Sequence, residues 1–240
     1  MAAHLRKAKK AAKLARTPRW RAALRHGVAA TIEHQEVDFG DDFASVLDVG
    51  GHHGQFTLFA LERFPAAQIV TFEPQAEGVA KIRSVTSGEP RVRIENFALG
   101  EQPGTAELNI SKRSDSSSLL PIGEGQTTAF PGTEAATTET IQVETLDNLL
   151  PDAPERPALL KIDVQGFELD VLKGGQRTLS AIDAVFVECS FVELYSGQPL
   201  IGEIVAFLAE RGFALAGVFG VSYDAQGRCL QADCLFRRDQ

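Results

Sequence analysis

Carboxylates recur at the ends of apolar runs in this chain of 240 residues, where they could grip a polar ligand or take up a proton. The first run, Ser45–Val49, leads through Asp48 into Gly50-Gly51-His52-His53-Gly54 and then into a helical pattern carrying Phe56. Glycines at such a turn permit positive φ and let a ligand approach the backbone, while the helix start offers free N–H groups. Doubly wound folds bind nucleotides at this place. The spacing is not the dinucleotide G-x-G-x-x-G, because His52 takes the middle position. Asp48 also suits a ligand with a cationic group and not a pyrophosphate. An ordinary glycine-rich turn is the plain alternative.

The second run ends in Phe72-Glu73-Pro74, with Glu73 twenty-five residues beyond Asp48. An acid there accepts hydrogen bonds from both hydroxyls of an adenosine ribose. The third run ends in Asn96-Phe97-Ala98-Leu99-Gly100, where Asn96 either reads an adenine edge or makes a turn. In Leu160-Lys161-Ile162-Asp163-Val164-Gln165-Gly166-Phe167-Glu168, Lys161 and Asp163 stand two apart and share one side of a strand. Charges that close an apolar run are costly without a task, so both are candidates for proton transfer or substrate contact. A structural ion pair is the alternative. Glu168 opens the next helix, where a carboxylate also suits the helix dipole. Glu188 ends the fifth run at the same rim. His52 and His53 read as loop residues, because no third ligand at metal spacing accompanies them.

The elements that must position these groups follow from periodicity. Strand-like runs at 45–49, 68–72, 91–97, 158–164 and 184–189 alternate with helical periods at 55–63, 76–84, 168–179 and 200–211. That alternation predicts right-handed crossovers on a parallel sheet, an α/β fold. About sixty residues separate the third and fourth runs, too many for a plain crossover. Within them, 105–110 and 140–144 alternate like antiparallel strands around a Ser/Thr/Gly/Pro-rich stretch, 111–139, expected to be a mobile loop or lid. The closing runs, 213–219 and 229–237, read as a hairpin around Asp224–Gly227, which puts an antiparallel strand into the sheet.

A 44% hydrophobic composition with fifteen Phe fills a core and excludes general disorder. No run approaches the ~18 apolar residues of a membrane span. Cys189, Cys229 and Cys234 match neither metal spacing nor a disulfide framework, so they read as small buried hydrophobes in a reducing, cytoplasmic setting. The net charge of −8 is uneven: residues 1–26 hold nine Lys or Arg and no acid. The strongly acidic remainder is a poor general binder of nucleic acid. We therefore divide the chain into a basic helical extension, 1–40, and an α/β domain, 41–240. In the extension, Leu5, Ala8, Ala12 and Ala15 make a weak stripe, and Thr17-Pro18 opens a second helix with Trp20, Leu24 and Val28 on one side. This segment reads as a solvated helix packing through Trp20 and Leu24, or as a contact for a membrane surface or an acidic partner. No apolar stretch follows the basic start, so a signal peptide is not expected, and a transit peptide would need the serine that is missing.

From Ser45 to its end the chain resembles the FkbM-type S-adenosylmethionine-dependent methyltransferases. The resemblance rests on Leu47-Asp48-Val49-Gly50-Gly51-His52-His53-Gly54, Phe72-Glu73-Pro74, Asn96-Phe97-Ala98-Leu99, Ser117-Ser118-Leu119 and Val143-Glu144-Thr145-Leu146-Asp147. It continues in Leu160–Glu168, Val171-Leu172-Lys173-Gly174 and Val187-Glu188. The Lys-Ile-Asp…Gly-x-Glu…Leu-Lys-Gly series is the most particular of these. The resemblance implies a Rossmann-like seven-stranded sheet with an antiparallel last strand. It implies S-adenosyl-L-methionine as cofactor and methyl transfer, usually to a hydroxyl of a glycan or secondary metabolite. Cofactor contacts would come from Asp48, Gly50, Gly51, His52, Gly54, Phe56, Glu73, Pro74, Asn96 and Ala98. Relatives usually have Gly-Ala-Asn where this chain has Gly50-Gly51-His52, so either His52 replaces that Asn or the loop sits differently.

Methyl transfer is an in-line displacement in which the protein positions the acceptor and removes its proton. Asp163 is the expected base, with Lys161 tuning it or holding an anionic group, and Glu168 and Glu188 lining the acceptor pocket. The competing readings are a nicotinamide-dependent oxidoreductase, disfavoured by the missing G-x-G-x-x-G and the terminal hairpin, and a catalytically silent cofactor-fold module.

Overall fold

Every residue of Ser45–Val49 and of Ala158–Ile162 is buried, as strands covered on both faces must be. The computed structural model describes residues 13–40 and 42–238. Its strands are β1 (Ser45–Val49), β2 (Gln68–Phe72), β3 (Val92–Glu95), β4 (Ala98–Leu99) and β5 (Gly104–Ser111). They continue with β6 (Ala135–Glu144), β7 (Ala158–Ile162), β8 (Ala184–Ser190), β9 (Phe213–Tyr223) and β10 (Cys229–Arg238). Seven of them form one sheet in the order β3-β2-β1-β7-β8-β10-β9. β1 runs parallel to β2 and β7, and β7 parallel to β8. β10 is antiparallel to both β8 and β9, because a hairpin with no crossover helix must reverse the chain. The result is the α/β, Rossmann-like sheet with an antiparallel last strand. One apolar layer packs Val49, Leu160, Val187 and Leu172 on one face; a Phe-rich layer with Phe39, Phe59, Phe64 and Phe186 fills the other.

Three local departures from the periodicity have physical causes. The helix expected over 168–179 is two helices, Glu168–Lys173 and Gln176–Leu179. The chain breaks at Gly174 because Gly100 crosses there: a Cβ on Gly174 would lie 2.0 Å from Gly100 O. Asp147 then caps the second helix, accepting from Arg177 N (2.9 Å) and Thr178 N (2.8 Å). The third run also divides. Val92–Glu95 stays in the main sheet, whereas Ala98–Leu99 leaves it to pair with β6 in a three-stranded sheet ordered β4-β6-β5.

The polar stretch 111–139 holds a 3-10 turn at Ser114–Ser116, a helix at Glu124–Ala129 and the first half of β6. Its hydroxyls and amides bond to other loops: Ser118 Oγ donates to Gln165 O (2.6 Å), and Gly123 N to Leu194 O (2.9 Å). Ser/Thr content that reads as loop in sequence is thus occupied in tertiary hydrogen bonds.

In the extension, the helix Pro18–Leu24 docks through Trp20, 3% exposed, whose Nε1 donates to Leu58 O at 2.9 Å. Ala23, Val28, Ala30 and Ile32 complete this apolar contact. Leu24 does not take part as expected: it is 40% exposed at the helix end, and Val28, beyond the turn, fills the place instead. The candidate stripe residues Leu5, Ala8 and Ala12 lie outside the described residues. Cys189 and Cys234 are buried and Cys229 is half-buried, all three as free thiols. Among the described residues no helix is long and apolar enough to cross a membrane, and no group of three or more His, Cys, Asp or Glu could hold a metal ion. Trp20→Ala should lower the urea midpoint by an amount corresponding to ~3–5 kcal/mol. Trp20→Phe, which keeps most of the apolar area and loses the hydrogen bond, should cost ~1 kcal/mol.

Candidate functional site

The carboxyl ends of β1, β2 and β7 open into a cavity of about 1020 Å³, its mouth included. Gly50, Gly51 and His52 form its floor, Glu73 and Pro74 one wall, and Asp163, Val164 and Gln165 the opposite one. Phe72, Phe97, Ala98, Leu99 and Leu119 supply apolar surface. Gly50 sits at φ +79°, and a Cβ there would strike Asp163 O at 1.9 Å, so the floor lies directly against the end of β7.

Glu73 grips the floor. Its Oε2 accepts from His52 N (2.7 Å) and its Oε1 from Gln75 N (2.9 Å). Burial raises its pKa to about 7, against the lowering effect of those backbone bonds. Each oxygen keeps a lone pair for a further donor. His52 itself has φ +47°, uncommon for a residue with a side chain. Gln55 Oε1 accepts from His53 N, which orients the amide so that Gln55 Nε2 donates to His52 Nδ1 (2.9 Å). The His52 proton then sits on Nε2, which donates to Ser114 Oγ (2.9 Å) and ties the floor to the covering turn. Burial and the neighbouring His53 lower the His52 pKa to about 4, so the ring is neutral.

Lys161 lies under the same floor. Its Nζ donates to Val49 O (3.2 Å) and Gly50 O (2.9 Å) and pairs with Asp48 Oδ1 (3.2 Å). Asp48, its direct neighbour across β1 and β7, also accepts from Thr57 Oγ1 (2.7 Å). Burial works against the ammonium, but Asp48 and then Asp163 outweigh it and raise the Lys161 pKa above the ordinary value. Asp163 Oδ2 stands 4.0 Å from Nζ, and its side chain is 41% exposed toward the cavity. With two carbonyls and Asp48 served, Lys161 has no donor over for an anionic group of a substrate.

A second network orients Asp163 from behind. Gln165 Nε2 donates to Asp163 Oδ1 and to Glu188 Oε2, both at 2.8 Å, and Gln165 Oε1 accepts from Tyr195 OH (2.7 Å). Gln231 Nε2 donates to the other Glu188 oxygen at 2.5 Å. Burial, then Asp163 and Asp233, hold the Glu188 pKa well above the usual carboxylate range.

Of the residues expected from sequence, Gly50, Gly51, His52, Phe56, Glu73, Pro74, Ala98, Lys161 and Asp163 meet in the cavity wall. Five stand outside it. Asp48 is fully buried behind Lys161, with which it pairs. Gly54, at φ +90°, starts the helix Gln55–Arg63. Asn96 stands outside the lining, and its amide donates to Glu73 O (2.9 Å) and Pro74 O (2.7 Å), as in the turn reading. Glu168 and Glu188 do not line the cavity. Glu168 Oε1 is occupied by Val164 N (3.3 Å) and Gly166 N (2.9 Å), Glu188 by the two glutamines. Residues not singled out in the sequence also line the site, Gln165 and, from the extension, Thr31 and His34, while Tyr195 supports Gln165 from behind. A Gln-Gly pair after Asp163 was the one visible hint, since glycine there admits a sharp turn; nothing local marks the others.

Residues 48–215 match the Methyltransferase FkbM domain family. The chain belongs to that family. Among characterised relatives it is similar to 2-O-methyltransferase NoeI of Sinorhizobium fredii, 30% identical over 177 residues that cover 68% of this chain and 70% of that protein. It is also similar to Methyltransferase 1 of Beauveria bassiana, 27% identical over 197 residues covering 74% and 75%. Among solved structures, the precorrin-6y C5,15-methyltransferase of Geobacter metallireducens aligns with a TM-score of 0.47 at 10% identity, over 87% of this chain and 86% of that one.

An FkbM methyltransferase uses S-adenosyl-L-methionine, and this cavity fits it. Glu73 retains acceptor capacity for a sugar diol, Phe72, Phe97 and Leu99 offer apolar surface for a flat base, and the side-chain-free Gly50-Gly51 floor leaves room for the remainder.

Glu168 sets a test of this electrostatic reading. Burial raises its pKa to about 7 from an ordinary 4.5. Between those values the folded chain holds a proton that the unfolded chain has lost, so stability falls as pH rises from about 4.5 to about 7. Glu168→Gln should flatten that part of the stability–pH curve, by on the order of 3 kcal/mol across the window, measured by urea unfolding at several pH values.

Proposed function

We propose that this FkbM methyltransferase methylates a hydroxyl oxygen of a glycan or secondary metabolite, with Asp163 taking the hydroxyl proton. One observation carries the reading: of the two carboxylates flanking buried Lys161, Asp163 is the one that faces the cavity. The relative named a 2-O-methyltransferase favours oxygen as the acceptor atom. The charged groups facing the acceptor side are carboxylates, Asp115 and Asp163, while Lys161 is fully engaged. A neutral, hydroxyl-bearing acceptor suits that wall better than a phosphate or a carboxylate.

Bound S-adenosyl-L-methionine supplies a methyl group activated by its sulfonium charge. Glu73 would accept from the ribose hydroxyls, and Gly50, Gly51, His52, Phe56, Pro74 and Ala98 would form the surrounding wall. Asp48 and Asn96 act from outside, one through Lys161 and the other by bracing the Glu73-Pro74 backbone. On the acceptor side, Gln165 holds Asp163 Oδ1, which leaves Oδ2 to receive the hydroxyl proton. The Lys161 ammonium stands 4.0 Å from that oxygen. The turn at Ser114–Ser117 with Leu119 shields the reacting atoms from water.

Asp163→Asn should lower tritium-methyl transfer to a fractionated glycan and metabolite extract by ~10²-fold or more, while S-adenosylhomocysteine affinity stays within about twofold by calorimetry. Full turnover in that variant would remove Asp163 as the base. Glu73→Ala should weaken S-adenosylhomocysteine by ~10-fold or more, the worth of charge-assisted hydrogen bonds. Because the ionised carboxylate is the better acceptor, wild-type affinity should drop as pH falls through about 7, and Glu73→Gln should lose that dependence.

A further inference from the structure

His34 lies outside the residues that match the family, in the 3-10 turn Ile32–Glu36 of the extension, yet it lines the cavity. Its ring packs edge-on among Phe56, Phe59 and Phe186, with centroids 5.4, 5.7 and 5.2 Å away. Such a setting suits an apolar side chain. The imidazole instead leaves most of its hydrogen-bonding capacity unused. Nδ1 is buried with no hydrogen-bond partner among the described residues, and Nε2 stands 3.6 Å from Asp233 Oδ2, beyond a good hydrogen bond. A buried polar atom left unpaired is costly and calls for a reason. Docking of the extension does not supply one: Trp20, Ala23, Val28 and Ile32 already bury that contact with Leu58, and Arg237 Nη2 donates to Asp38 O (2.8 Å).

Strand register places His34 relative to the chemistry. Its ring rests on Phe186, which pairs with Lys161 across β7 and β8, so those two side chains leave the sheet on one face. Asp163 Oδ2 stands 4.0 Å from Lys161 Nζ on that face, and Asp233, one strand further on, pairs with Glu188. Glu73 lies across β1, just past the end of β2. We propose that His34 determines which acceptor the enzyme takes, one ring nitrogen exchanging a hydrogen bond with a polar group of the acceptor other than the methylated one. This rests on the placement above, with the cofactor's ribose at Glu73 and the acceptor beside Asp163. A neutral imidazole donates from one nitrogen and accepts at the other, so a hydroxyl, which does both, is its complement. The three Phe rings hold the imidazole in one orientation, so little ordering is needed on binding. The acceptor class is thereby narrowed to molecules with at least two hydroxyls, one for Asp163 and one for His34.

The test uses the full chain, tritium-labelled S-adenosyl-L-methionine and the most active fraction of the glycan and metabolite extract. His34→Phe keeps an aromatic ring among its neighbours and removes both nitrogens. It should raise the amount of that fraction needed for half-maximal labelling by ~10-fold, the loss of one hydrogen bond. The maximal rate should change less, S-adenosylhomocysteine affinity should stay within about twofold by calorimetry, and the melting temperature should not fall. His34→Gln, which restores a donor and an acceptor, should recover part of the loss. If His34→Phe does not fold, His34→Leu set against His34→Gln makes the same comparison. Asp163→Asn acts on the maximal rate and Glu73→Ala on S-adenosylhomocysteine affinity, so the base and the ribose contact fail separately from His34. Unchanged half-saturation in a folded His34→Phe overturns the proposal. So does an equal loss of S-adenosylhomocysteine affinity, which would put His34 against the cofactor.

Discussion

A buried ammonium holds the ends of two neighbouring strands together, and the site is built on it. Lys161 reaches from β7 to the last carbonyls of β1 and to Asp48, so the Gly50 floor and Asp163 keep a fixed relation. An unpaired charge in that position would cost several kcal/mol. Asp48 is the chief offset, from below, with Thr57 steadying it. Asp163 contributes from the open side and stays free for a ligand.

Backbone strain gathers around the same cavity. His52 and Gln165 are the non-glycine residues with positive φ among the described ones, and both line the cavity. Such conformations cost on the order of 1–3 kcal/mol each and persist where the surroundings over-determine them. Here Glu73, Gln55 and Ser114 hold His52, while Asp163, Glu188, Tyr195 and Ser118 hold Gln165. The covering turn takes part in both sets. The polar stretch between β5 and β6 is therefore joined to the chemistry by hydrogen bonds and not merely laid across it.

The buried acids divide the work. Glu73, Glu168 and Glu188 are all pushed upward by burial, and their oxygens are occupied by backbone amides or by glutamines. They fix loops at the expense of stability above neutral pH. Asp163 is partly open to solvent and lines the cavity.

The elements themselves were legible in the chain. Strand and helix periods are local, so β1, β2, β7, β8 and the closing hairpin followed from alternation and turn residues, and the motifs at 48–54, 72–74 and 160–168 marked one rim. Sequence alone also singled out Glu73, Lys161 and Asp163, because a charge ending an apolar run is conspicuous wherever the run goes. What local pattern cannot carry is the partner of each polar atom. Asn96 at a strand end looks the same whether it reads a base or braces Pro74, and Glu168 looks the same whether it faces a substrate or caps a turn. Thr31, His34, Gln165 and Tyr195 joined the site only through strand register and side-chain direction, which bring together residues far apart along the chain and are set by packing of the whole domain.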